Sequence, residues 1–178
     1  MTTRSGTVLT GTLIAIPCLA VGMGTLWLIL SAFYASFAAN DWVKVRADVL
    51  TGDVVPTGRR GSMQATGTYR YQYKGATYES KQLGVGNWGG DNMGDWHQRM
   101  GDYLKAALAE KRPITVFVNP EDPAQAVIDP DIRWATIGFL SIFALAFSAV
   151  GAGFGYSALK ASTDKNWVAP KRKRFSSD

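Results

Sequence analysis

The chain has 178 residues, 47% of them hydrophobic, with a formal net charge of +5 and one cysteine. That charge does not mark a nucleic-acid binder, because Asp41 to Arg133 holds twelve basic and twelve acidic residues and the excess lies towards the ends. With the sole cysteine at Cys18, the central segment can form no disulfide and must be stable through packing.

No charge occurs from Ser5 to Asn40, or from Trp134 to Leu159. A membrane span needs about 20 apolar residues, so each block predicts a transmembrane helix. Basic residues near span ends stay on the cytoplasmic side. Lys160, Lys165, Lys171, Arg172, Lys173 and Arg174 follow the second block, whereas Arg133 is the one basic residue close before it. The expected organisation is a cytoplasmic end (1–6), a first span with an extracytoplasmic extension (7–40), an extracytoplasmic domain (41–133), a second span (134–159) and a basic cytoplasmic tail (160–178).

Ser36-Phe37-Ala38 has the small-x-small form of a signal cleavage site. A signal h-region is about 7–15 residues, far shorter than this block, which reads as an uncleaved anchor. At 1.5 Å per residue the whole block would be roughly 54 Å long, beyond a hydrocarbon core of about 30 Å. Leu30 to Asn40 is therefore expected to project above the bilayer, with Trp27, Phe33 and Tyr34 at the interface.

In the central segment, Val43, Val45, Ala47 and Val49 alternate with Lys44, Arg46 and Asp48, the period of a half-buried strand. A loop is expected from Thr51 to about Thr66. A hairpin follows, in which Tyr69, Tyr71 and Tyr73 share one face, Lys74-Gly75 turns, and Thr77 to Leu83 returns. The tyrosine stripe reads as a sheet face covered by a helix, with a ligand platform as the alternative. Gly84 to Trp96 contains five glycines and predicts a surface loop presenting Trp88, Asn92 and Met93 to a partner, or merely a spacer. Its acidic residues do not follow a calcium-loop order, and Asp95 is expected to cap the next helix.

Trp96, Met100, Tyr103, Leu104, Ala107 and Leu108 lie on one face of a helix from Asp95 to about Glu110, closed by Pro113. Ile114, Val116 and Val118 predict another strand. The turn Asn119-Pro120-Glu121-Asp122-Pro123 ends it, and Ala124 to Ile128 returns to the second span at Trp134. The expected fold is an α+β membrane protein: two transmembrane helices flanking a small antiparallel sheet domain with one packed helix.

Trp42 after one span, a Y-x-Y-x-Y-x-G-x-x-Y hairpin over Tyr69 to Tyr78, and V-x-V-N-P-E-D-P-A-x-A-V over Val116 to Val127 leading to Arg133-Trp134 resemble the domain of unknown function 3592 family. That resemblance implies a two-span bacterial inner-membrane protein and brings no catalytic residues.

The residues themselves indicate no chemistry. His97, the sole histidine, is expected on a solvent-facing helix turn, and the carboxylate pairs fall in proline turns. No phosphate-binding or nucleophile motif occurs, so no enzyme, metal or cofactor is expected. Within the second span, Gly151-x-x-x-Gly155 and the stripe Ala144, Ser148 and Ala152 suit helix packing, within the chain or in a homodimer. Lys171, Arg172, Lys173 and Arg174 suit topology or contact with anionic lipid. The expected role is a non-enzymatic membrane protein with a periplasmic interaction domain, partnered by the bilayer and an envelope protein. The alternatives are a small-ligand sensor or enzyme, and a subunit, immunity or accessory protein of a membrane complex.

Overall fold

The computed structural model describes residues 4–57, 62–86 and 93–164. Trp88, Asn92 and Lys171 to Arg174 lie outside the described residues. The elements are α1 (Arg4–Asn40), β1 (Val43–Thr57), β2 (Ser62–Tyr73), β3 (Ala76–Ser80), α2 (Trp96–Ala109), β4 (Ile114–Val118), β5 (Ala126–Val127) and α3 (Trp134–Thr163). They form two compact units, one of residues 1–27 with 139–178 and one of residues 28–138.

The first unit is an antiparallel helix pair. Both α1 and α3 are long and apolar enough to cross a membrane. Along α1 the covered positions include Gly11, Ala15, Cys18, Gly22 and Thr25, spaced alternately by four and three, with Ile14 and Leu19 beside them, the interval that holds one helix face towards a neighbour. Opposite them on α3 run Ala144, Ser148, Gly151, Gly155 and Ala158. A Cβ on Gly22 would fall 2.4 Å from Ser148 Oγ, and one on Gly151 would fall 2.9 Å from the Leu19 amide nitrogen. Those contacts explain why side chains are absent there. Ala152 is exposed, so the stripe expected at intervals of four is corrected to 144, 148, 151, 155 and 158. Rows at four-residue spacing drift around a 3.6-residue helix by about 40° per step, whereas alternating steps of four and three drift only about 20° per seven residues. The Arg4 side chain donates to the carbonyls of Ala161 and Ser162, placing a cation where the last turn of α3 leaves acceptors unsatisfied.

The second unit is a five-stranded antiparallel sheet of order β3-β2-β1-β4-β5, with α2 packed on one face. Its β1–β2 hairpin is longer than the sequence suggests: residues 51–57 and 62–66, expected as loop, are paired strand. The register shifts between Val49 and Thr51. The inward positions therefore pass from odd (Val45, Ala47, Val49) to even (Gly52, Val54), which breaks the alternation that would have revealed a strand. Gly52 and Gly67 are cross-strand partners, and a Cβ on either would meet Leu104 within 2.7 Å. They let α2 approach the sheet. Gly101 serves the same contact from the helix side, since a Cβ there would fall 2.0 Å from Val54 Cγ2.

The expected turn at Lys74-Gly75 is present, with φ of 49° and 82°, the positive pair that a two-residue hairpin turn requires. Tyr69, Tyr71, Leu104, Ile114, Val116 and Val118 are almost wholly buried and form one cluster with Met100 and Ala107. The Tyr69 hydroxyl lies 2.8 Å from Gln82 O and 2.7 Å from Ala126 O, and the Tyr71 hydroxyl donates to Pro123 O at 2.7 Å. The stripe is thus a packed core element at Tyr69 and Tyr71. Burial first, and neighbouring tyrosines second, push both phenols above their ordinary ionisation range.

The last turns of α1 belong to this unit. Ala39 is fully buried with Val85 and Val127, Ser36 Oγ donates to Pro130 O at 2.7 Å, and the Phe33 ring meets Trp134 edge-on at 6.0 Å.

Candidate functional site

The glycine-rich segment follows β3, and its described residues are 84–86 and 93–96. Its first residues are built into the core, contrary to a loop that starts at Gly84. Leu83 and Val85 are buried, because both Ile128 N and Asp129 N donate to Leu83 O while Val85 N donates to Asp129 O at 3.3 Å. Gly84 and Asp129 form a parallel bridge.

The other foot is fixed to the same residue. Trp96, first in α2, donates its indole N–H to Asp129 Oδ2 at 2.6 Å, and a Cβ on Gly84 would fall 3.0 Å from Trp96 Cζ2. Asp129 therefore holds both feet of the loop, by its main chain on one side and its carboxylate on the other. The Arg133 guanidinium lies over the Trp96 ring, 4.8 Å from the centroid, and the His97 ring meets Trp96 edge-on at 5.0 Å.

His97 corrects the expectation of a solvent-facing position. It is buried, and its Nδ1 accepts the Ala65 amide N–H at 3.2 Å, so it links α2 to β2 instead of facing solvent. A neutral imidazole has one lone-pair nitrogen, and here Nδ1 is that acceptor. Arg133 Nη2 lies 3.4 Å from Nε2, the other ring nitrogen. Asp95 occupies the N-cap position but makes no side-chain cap. Its carboxylate pairs with Arg99 at 3.1 Å, because an arginine four residues on competes for the same oxygens.

Met93 lines a cavity of about 390 Å³ at the foot of the loop, together with Trp96, Arg99, Asp131, Arg133 and Trp134. Of the expected loop residues, the described part thus places Met93 beside the Trp96–Asp129–Arg133 cluster. Ala144, Ser148, Gly151 and Gly155 are in the other unit, facing α1. Among the described residues no three His, Cys, Asp or Glu side chains converge as metal ligands.

The sequence reading missed Asp129, Arg133 and the burial of His97. A signal was available: an aromatic-histidine pair in the first helical turn, with Asp129 and Arg133 four residues apart at the entry to α3. It could not be read without knowing that the chain leaving β5 runs beside Leu83 to Val85 and reaches Trp96 at the start of α2.

No curated protein matches the chain. The family model described as Domain of unknown function (DUF3592) matches residues 44–133, from the second residue of β1 to the residue before α3. It covers the sheet, α2 and the Asp129 clamp, and about half of the sequence; on that match, the chain belongs to the DUF3592 family.

Proposed function

We propose that this protein is a non-enzymatic, two-span bacterial inner-membrane protein whose periplasmic sheet domain binds another envelope protein through the loop from Gly84 to Gly94. One observation carries the reading. The loop is mounted on a rigid base, with both feet fixed by Asp129 through a main-chain bridge and a 2.6 Å side-chain bond, the arrangement by which scaffolds present recognition loops. The buried tyrosines favour it over a ligand held between stripe and helix. The basic tail supports cytoplasmic ends, with both helices crossing the bilayer.

Photo-crosslinking from a reactive residue in place of Met93 should capture a defined protein band in cells. The band should vanish when residues 87–92 are replaced by a glycine-serine segment of equal length. Unchanged capture after that replacement would overturn the loop's role. For topology, a cysteine at Arg60 should react with an impermeant thiol reagent in intact cells and a cysteine at Arg172 should not; the reverse pattern would overturn the orientation.

A further inference from the structure

A second surface of the sheet domain is open in a way that specifies its occupant. Just past β4, Asn119 N donates to Gln125 O at 2.9 Å, and within it Phe117 pairs with Val127. Main-chain direction alternates along an antiparallel strand, so Thr115, like Phe117 and Asn119, turns its N–H and C=O to the β5 side. There β5 has already left. After Val127 the chain diverges, and the Asp129 N–H, which a continuing ladder would aim at Thr115, donates to Leu83 O instead.

The gap is a cleft of about 540 Å³. Its floor is the β4 edge at Thr115, and Met100 and Tyr103 of α2, with Phe117 and Ile128, give it an apolar wall. Lys44 and Arg99 line it as cations. Asp129 is the acidic lining residue, with one carboxylate oxygen taken by Trp96, and Arg99 is held by the exposed Asp95. Exposed edges with unpaired main-chain groups are usually blunted by charge, proline or cover. This one is short, because Pro113, the next residue on that side, has no N–H, and Thr115 lies between an apolar trough and the cations Lys44 and Arg99.

We propose that the β4 edge at Thr115 takes an extended, acidic peptide strand from a protein partner, which adds antiparallel or parallel to the sheet, sets an apolar side chain against Met100 and Tyr103, and turns carboxylates to Lys44 and Arg99. Strand addition of this kind draws affinity from main-chain hydrogen bonds and selectivity from the flanking pockets. The site is separate from the loop. It shares with the proposed function only the premise of a protein partner, and its test needs neither the loop nor a cellular partner.

The test uses the full chain in detergent and capped heptapeptides of alternating valine and glutamate, with two controls: alternating valine and lysine, and the glutamate peptide methylated on alternate backbone nitrogens. Binding is read by fluorescence anisotropy, and the contact by hydrogen exchange at the Thr115 amide. The glutamate peptide should bind, slow exchange at Thr115, and bind at least about tenfold more tightly than either control. Thr115→Pro, which removes an amide that β1 does not use, should weaken it about tenfold, while Thr115→Val should not. Absence of binding, equal binding of the methylated peptide, or binding without slower exchange at Thr115 would each overturn the proposal. Should Thr115→Pro fail to fold, the methylated peptide still decides. Preference for the lysine peptide would refute the acidic partner.

Discussion

The helix pair and the sheet domain achieve close contact by opposite means. In the pair, Gly11, Gly22 and Gly151 remove side chains so that helix backbones touch, while Leu9, Leu13, Ile16 and Met23 point outward. If that outward surface lies in lipid, as proposed, burying more apolar area brings little, and contact between small residues is what holds helices together. In the sheet domain the glycines clear space for one large side chain, Leu104, which is fully buried among tyrosines. Burial of apolar volume is the stabilising term there.

The sharpest break of this contrast is Leu104→Ala. The side chain sits over Gly52 and Gly67, whose strands cannot collapse onto α2 without distorting the hairpin. We expect a loss of about 3–5 kcal/mol, as for deletions at sites that relax poorly. The measure is denaturant unfolding of the sheet domain in the full chain, followed by exchange at β2 amides. Leu13→Ala, on the outward face of α1, should change stability by less than about 0.5 kcal/mol. Equal effects would erase the distinction between the two regions.

The reverse experiment overfills the pair. Gly151→Leu forces a Cβ to within 2.9 Å of the Leu19 amide, a backbone atom that cannot swing aside, and should cost about 1–3 kcal/mol. A direct readout exists, because a Cβ on Gly155 would lie 3.7 Å from Ala15 Cβ, within the spacing of a disulfide. With Cys18 replaced by serine, Ala15→Cys with Gly155→Cys should crosslink on mild oxidation. Adding Gly151→Leu should sharply reduce the yield.

How much of this was legible depended on whether a pattern survived its surroundings. The two long apolar helices, the Lys74-Gly75 turn and the odd-numbered apolar residues of β1 were readable because each signal is local. The second half of the β1–β2 hairpin was not. A register shift changes the inward parity at Val49, and glycines chosen for an approaching helix look, in sequence, like glycines chosen for a turn. His97 was misread because its partner, the Ala65 amide, lies 32 positions away. Asp129 looked like a proline-turn carboxylate, and its clamp is visible only once the residues after β5 are seen bonded to Leu83, Val85 and Trp96. The small residues of α3 were legible as a class, but not the step from Ser148 to Gly151 that fixes which of them face α1.

Tyr69→Phe should have a smaller effect than either packing variant, about 1–2 kcal/mol, because it strips the hydroxyl from Gln82 O and Ala126 O while leaving the ring in place. The native phenol also gives the sheet domain a pH signature. Burial raises its folded-state pKa above the ordinary value of 10.0. Its contribution is therefore fully present below about pH 10 and declines as alkali ionises the unfolded chain first. Absorbance titration should show Tyr69 ionising together with loss of structure, and Tyr69→Phe should flatten the alkaline fall in stability.

The smallest expected effect concerns charge at the surface of the same hairpin. Lys105 Nζ lies 2.8 Å from Asp53 Oδ1, and that oxygen also accepts the Val54 amide at 2.7 Å. The Lys105 hydrogen bond first, then the Val54 amide, hold the Asp53 carboxyl below its ordinary 3.8, and the same bond raises Lys105 above 10.5. For Asp53 the sign is that of a depressed acid: the contribution is present above pH 3.8 and disappears as pH falls through the folded value. For Lys105 it is present below pH 10.5 and lost as pH rises through the raised value. Both side chains are exposed, so solvent and salt screen the pair. Asp53→Asn should accordingly leave the unfolding midpoint near neutral pH almost unchanged, and remove a shallow acid-side slope that 0.5 M salt also removes, about the ionic strength at which surface pairs fade. A large midpoint shift at neutral pH would mean that the hairpin is held by charge at its rim as well as by Leu104 over its glycines.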